Sequence, residues 1–178
     1  MDIKSENKNK ISKVLDNFIL QIGKFVSWAN GILVLVIVLQ VTLRYGFGRG
    51  LVLLEELEWH LYSLAFMFGL SYALVTNAHV RVDILHNLFS KRTKEWIEAI
   101  GTFFVLMPFI IAILIFGIEF FQDSWVHNES SSAPLGLPFT WAIKSVIPIS
   151  FVMLAIAAIS RLIHAFIIIK GGEEDGVK

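Results

Sequence analysis

The sequence predicts an all-α integral membrane protein. It has four transmembrane helices, an N-terminal amphipathic interfacial helix and both termini cytoplasmic. Three observations lead there. Of 178 residues, 56% are hydrophobic and the mean hydropathy is +0.69, well above a soluble domain. The formal net charge is zero, yet the charges gather at the ends of apolar runs long enough to cross a bilayer. The basic residues also divide unevenly between the two sides these runs define.

Residues 1–10 are polar and Lys-rich, a composition that favours disorder. From 11 to 22 the pattern turns helical. Ile11, Val14, Leu15, Phe18, Ile19 and Ile22 share one side, with Lys13, Asp16, Asn17 and Gln21 opposite. This reads as an amphipathic helix in the membrane interface, the alternative being an extension of the first span. The first span, about 24–44, holds Phe25 to Leu43 without a formal charge. At ~1.5 Å per residue that stretch nearly crosses a ~30 Å core. It is too long for a cleavable signal and lacks a small-residue cleavage site, so it is expected to stay as an anchor. Gly46, Gly48 and Gly50 then make a turn.

The second span is about 57–77 and the third about 97–119, with Pro108 expected to kink the third. The fourth is about 143–169, with Arg161 placed to snorkel at its far end. Together these make a single membrane domain over 1–178. The N-terminus, the 77–96 loop and the C-terminal end hold 12 basic residues, whereas the other side holds only Arg44, Arg49 and Lys144. Both termini are therefore expected on the cytoplasmic side, with the 122–140 loop outside.

The stretch from Leu43 to Asp83 looks like the organising part of the chain. Glu55, Glu56 and Glu58 with Trp59 stand at the mouth of the second span. Ala65, Gly69 and Ala73 recur every four positions and so share a face that lets another helix approach closely in lipid. Trp59, Tyr62 and Phe66 can pack beside that row. These residues, with Glu55 and Glu56, are the candidate partner interface. Arg44, Arg49, Glu58, Arg81 and Asp83 are candidate interfacial charges.

Several chemistries are weighed and set aside. There is no cysteine, so no disulfide, thiolate metal site or redox pair is available. No basic cluster sits on a soluble fold to bind nucleic acid. Glu58 and His60 suggest a proton relay, but both fall at the water-accessible edge of their span, where pairing with Arg44 and Arg49 accounts for them better. His79 and His164, at matched depth, could ligate a haem, although two histidines alone are a weak signal against ordinary interfacial residues. Ser130 to Ser132 beside His127 and Glu129 lie on one turn-rich loop, which does not hold a catalytic triad. Asn30, Gln40 and Thr42 can bond to neighbouring helices, but are too few to line a pore. No catalytic, cofactor or metal site is expected, and the chain is not expected to be an enzyme.

With those residues in view, the chain resembles the small membrane subunit of tripartite ATP-independent periplasmic (TRAP) transporters. The likeness rests on Arg44-Tyr45, on Glu55-Glu56 before Trp59, and on Phe68-Gly69. It rests further on His79-Val80-x-Val82-Asp83, and on Leu137-Pro138-x-x-Trp141 with Pro148. It covers nearly the whole chain and carries its specificity in order and spacing. The resemblance implies a four-span protein of the bacterial inner membrane paired with a large multi-span permease subunit, which holds the substrate and sodium sites. A periplasmic substrate-binding protein then delivers the substrate, typically an organic acid. The small subunit braces the scaffold of the large one, and this chain looks like the unfused form. The alternatives are a haem-binding membrane anchor of an oxidoreductase and a self-associating four-span protein.

Overall fold

The computed structural model describes residues 3–76, 78 and 91–171, with side chains from Ser12 onward except at Lys91 and Gly171. Every element among them is helical. They are α1 (Ile3–Gly46), α2 (Val52–Val75), α3 (Lys91–Gly101), a π-helical turn (Thr102–Leu106), α4 (Met107–Val126) and α5 (Thr140–Gly171). Three stretches are long and apolar enough to cross a membrane: Ser12–Gly46, Arg92–Val126 and Thr140–Lys170. They correspond to the first, third and fourth spans read from the sequence. The expected second span is α2, a helix of 24 residues and so about 36 Å long. Its Glu55, Glu56, Glu58 and His60 lower its apolarity.

α1 is continuous over 44 residues, so the 11–22 segment and the first span form one helix. Nothing breaks it, since no proline intervenes and Lys24 marks a change of polarity rather than a helix end. Its inward side chains are Ser12, Leu15, Ile19, Ile22, Val26, Ala29, Leu33, Val36, Gln40 and Leu43, all buried or half-buried. They alternate by three and four positions along the helix, as in a coiled-coil seam. Of the amphipathic face read from the sequence, Leu15, Ile19 and Ile22 turn inward while Val14 and Phe18 stay exposed. Gly48 adopts a left-handed φ of 65°, open to glycine at little cost, and turns the chain from α1 back towards α2.

The hub of the bundle is α5, which packs against every other helix. Val146, Ser150, Phe151, Met153, Leu154, Ala157, Ala158 and Ser160 are buried over about half of its circumference, while Ile149, Val152, Ile159 and Phe166 form an exposed apolar face. One cluster joins Phe151, Leu154 and Ala158 to Ile110 of α4 and to Met67 and Leu70 of α2. A second joins Met153 and Ala157 to Ile19 of α1 and to Phe68 of α2. α2, the helix of the Leu43–Asp83 stretch that is described, is thus one wall of the bundle rather than its hub.

α4 and α5 approach closely at Gly117, where an added Cβ would lie 3.1 Å from Ile147 Cγ2. The break expected at Pro108 falls one turn earlier, in the π-helical segment, where the Met107 amide donates to the Thr102 carbonyl. Proline has no amide to donate and its ring crowds the carbonyl four residues back, here that of Phe104. A wider turn at that point relieves the crowding.

Candidate docking surface

Polar clamps fasten the bundle at both ends. At the end where α1 meets α2, the Gln40 amide donates to Glu55 at 3.2 Å and Arg44 pairs with Glu55 at 3.4 Å. Glu56 reaches the 127–139 connection, accepting hydrogen bonds from the Ser131 hydroxyl and the Leu137 amide. Lys144 pairs with Glu129 and lies 4.0 Å over the Phe120 ring. The Lys144 and Ser124 hydrogen bonds hold the Glu129 carboxyl below the usual glutamate range. Asn128, Leu135 and Phe139 have φ of 44°, 64° and 65°, left-handed values that non-glycine residues seldom adopt. The Glu56 and Glu129 bonds fix a connection whose backbone would otherwise relax.

At the opposite end Ser160 donates to Asp16 at 2.6 Å and its oxygen lies 2.7 Å from the Ser12 hydroxyl. An ionised Asp16 can only accept, so Ser12 donates to Ser160 and Ser160 to Asp16. Arg161 pairs with Glu98 and lies 3.0 Å from Glu95, tying α3 to α5. Its guanidinium points to these carboxylates. His164 is exposed and borders a small polar cavity with Ser12, Asp16 and Arg161. Its possible haem partner His79 lies outside the described residues, as do Arg81 and Asp83. Among the described residues, no group of three His, Asp or Glu side chains could hold a metal ion.

The candidate interface residues divide into two sets. Glu55 and Glu56 are engaged within the chain, by α1 and by the 127–139 connection. Trp59, Tyr62 and Phe66 are each at least half exposed, at 69%, 52% and 51%. Their rings form a continuous stripe, Trp59 edge-on to Tyr62 at 6.5 Å and Tyr62 stacked on Phe66 at 6.0 Å. Ala65, Gly69 and Ala73 are half-buried. Ala65 and Gly69 line a groove of about 270 Å³ with Tyr72 and with Gly23, Lys24, Val26, Ser27 and Asn30 of α1. A Cβ added at Gly69 would meet nothing within 4 Å, whereas one at Gly23 would lie 2.5 Å from Tyr72 Cδ2. The close helix contact is thus at Gly23, and the Gly69 row is left open. Arg49 is exposed in the turn between α1 and α2, and Glu58 Oε1 is buried without a hydrogen-bond partner among the described residues.

The sequence reading missed the α1 half of this groove. Its signal was Gly23, Ser27 and Asn30 at spacings of four and three, one helical face of small and polar residues.

Comparison with known proteins accords with this architecture. Residues 33–167 match the family described as tripartite ATP-independent periplasmic transporters, DctQ component. One relative, a sialic acid TRAP transporter permease protein of Haemophilus influenzae (strain 86-028NP), is 30% identical over 109 residues, which are 58% of this chain but 17% of the relative. Another, from Haemophilus influenzae (strain ATCC 51907), is named as a TRAP transporter small permease protein. It is 28% identical over 143 residues, 78% of this chain and 83% of the relative. Because the family match spans most of the described helices, the chain belongs to the DctQ family of TRAP transporter components.

Proposed function

We propose that this chain is the small permease subunit of a TRAP-type secondary transporter in the bacterial inner membrane. It braces the large multi-span permease subunit, which binds the substrate and sodium, while a periplasmic substrate-binding protein delivers an organic acid. The observation that carries this reading is the way the bundle is built. Its ion pairs are clamps at the two ends, while apolar surface faces outward along the helices. That suits a rigid scaffold in lipid, since secondary transporters place substrate and ion sites near the midplane on discontinuous helices.

In this reading α2, the second span in order, also crosses the membrane and brings the crossings to four. It runs antiparallel to α1, as the pairing of Gly23 with Tyr72 and of Gln40 with Glu55 requires. Four crossings return the C-terminus to the side of the N-terminus, and the basic asymmetry makes that side cytoplasmic. The whole of 1–178 then acts as one membrane domain.

The test is co-expression of the tagged chain with the large permease subunit and recovery of both from detergent-solubilised membranes. The reading expects the two at a fixed ratio through size exclusion. Recovery of the tagged chain alone, from membranes that contain both, would contradict it.

A further inference from the structure

α1 carries, within its uncharged stretch, a carboxamide that no described residue satisfies. Asn30 lies six residues beyond Lys24, about 9 Å along the helix, within the uncharged Phe25–Leu43 stretch. It is exposed and makes no hydrogen bond among the described residues. Its neighbours are answered locally: Thr42 bonds the Val38 carbonyl at 2.7 Å and Ser27 the Lys24 carbonyl at 2.7 Å. A carboxamide cannot fold back on its own helix as well as a hydroxyl does. At this depth it needs an answering group from outside the chain.

Asn30 opens onto the α1–α2 groove. Gly23, Ser27 and Asn30 form one wall and Ala65 and Gly69 the other, with open space above Gly69. Small residues on both walls let a third backbone come close, the usual condition for helix association in lipid. The stacked Trp59, Tyr62 and Phe66 rings run along the adjoining face of α2 and extend the contact.

What fills the groove follows from Asn30. Acyl chains carry no donor or acceptor, and phosphates and esters stay at the level of Lys24. A membrane helix with a polar side chain supplies both bulk and bond. The permease relative, in which the matched region is only 17% of the length, joins a region like this one to a much longer remainder in one chain. That favours a large permease partner over a second copy of this chain.

We propose that the α1–α2 groove seats one transmembrane helix of the large permease subunit, whose polar side chain hydrogen-bonds Asn30. This rests on the small-subunit reading above.

The experiment uses co-expressed subunits. A benzophenone maleimide is attached to Ser27→Cys, the sole cysteine of that chain, and irradiated in membranes. In parallel, Gly69→Leu and Asn30→Leu are carried through co-purification. Gly69→Leu enters open space and Asn30→Leu is apolar in lipid, so both variants insert and fold. The expected result is an adduct with the large subunit and a loss of co-purified partner of about tenfold in each variant, the scale of one good interhelical contact. An adduct only with phospholipid, or only with a second copy, overturns the proposal. Retention of the partner at the wild-type ratio by Asn30→Leu also overturns it and leaves the small-subunit reading standing. Failure of the wild-type pair to co-purify overturns both.

Discussion

Arg161→Met removes a guanidinium from between two carboxylates. Arg161 pairs with Glu98 and lies 3.0 Å from Glu95, and the three side chains are only 14%, 23% and 16% exposed. Breaking a fully buried ion pair costs about 3–5 kcal/mol, because the surviving charge stays desolvated. The residual exposure lets water screen part of that, which reduces the expected loss to roughly 2–4 kcal/mol. At ~2–4 °C per kcal/mol for a chain of this size, the apparent Tm should fall by about 4–16 °C. Heating in detergent micelles with circular dichroism detection reads this directly. Adding Glu95→Gln to Arg161→Met should return part of the loss, since a neutral amide tolerates burial without a cation. The two substitutions are therefore non-additive. A Tm for Arg161→Met equal to wild type would refute the clamp. So would a double variant that is less stable than Arg161→Met alone.

Other substitutions test the remaining contacts. Gly23→Leu drives a side chain into Tyr72, whose Cδ2 lies 2.5 Å from the new Cβ, and should cost on the order of 1–3 kcal/mol. Gly31→Leu, which meets nothing within 4 Å, should leave the same melt nearly unchanged. Glu56→Gln weakens the acceptor for Ser131 and Leu137, so limited proteolysis should cut the 127–139 connection faster than in wild type. Glu129 contributes stability that is full above the ordinary glutamate value of 4.5 and is lost as pH falls through its lowered value. The Tm gap between wild type and Glu129→Gln should therefore persist down to about pH 4.5 and close only below it. A gap that vanishes near neutral pH would contradict the Lys144 pairing.

Membrane length was legible because it depends on composition over long windows. The spans at 24–44, 97–119 and 143–169 fall within the long apolar helices. What the sequence concealed depends on which face meets which. In lipid, inward and outward faces are equally apolar, so hydrophobic periodicity loses its power to separate them. Val14 and Phe18 were grouped with Leu15 and Ile19 for this reason, although only the latter pair turns inward. The same ambiguity hid α5 as the hub and drew attention to α2, whose acids and tryptophan are conspicuous. The partners of Arg161 were hidden because Glu95 and Glu98, more than sixty positions earlier, gave no local sign of pairing with it. The Ala65–Gly69–Ala73 row was readable, but its open character was not. That required Gly23 of α1 to take the tight contact with Tyr72.

The central claim is that this chain braces a transporter without itself moving substrate. Its most direct test is uptake of radiolabelled organic acids into proteoliposomes under an inward sodium gradient, with the binding protein and substrate outside. Vesicles holding this chain alone, or the large subunit alone, should match empty vesicles, and vesicles holding both should accumulate substrate. Uptake by the large subunit alone at the rate of the pair, or uptake by this chain alone above the empty-vesicle level, would contradict the account.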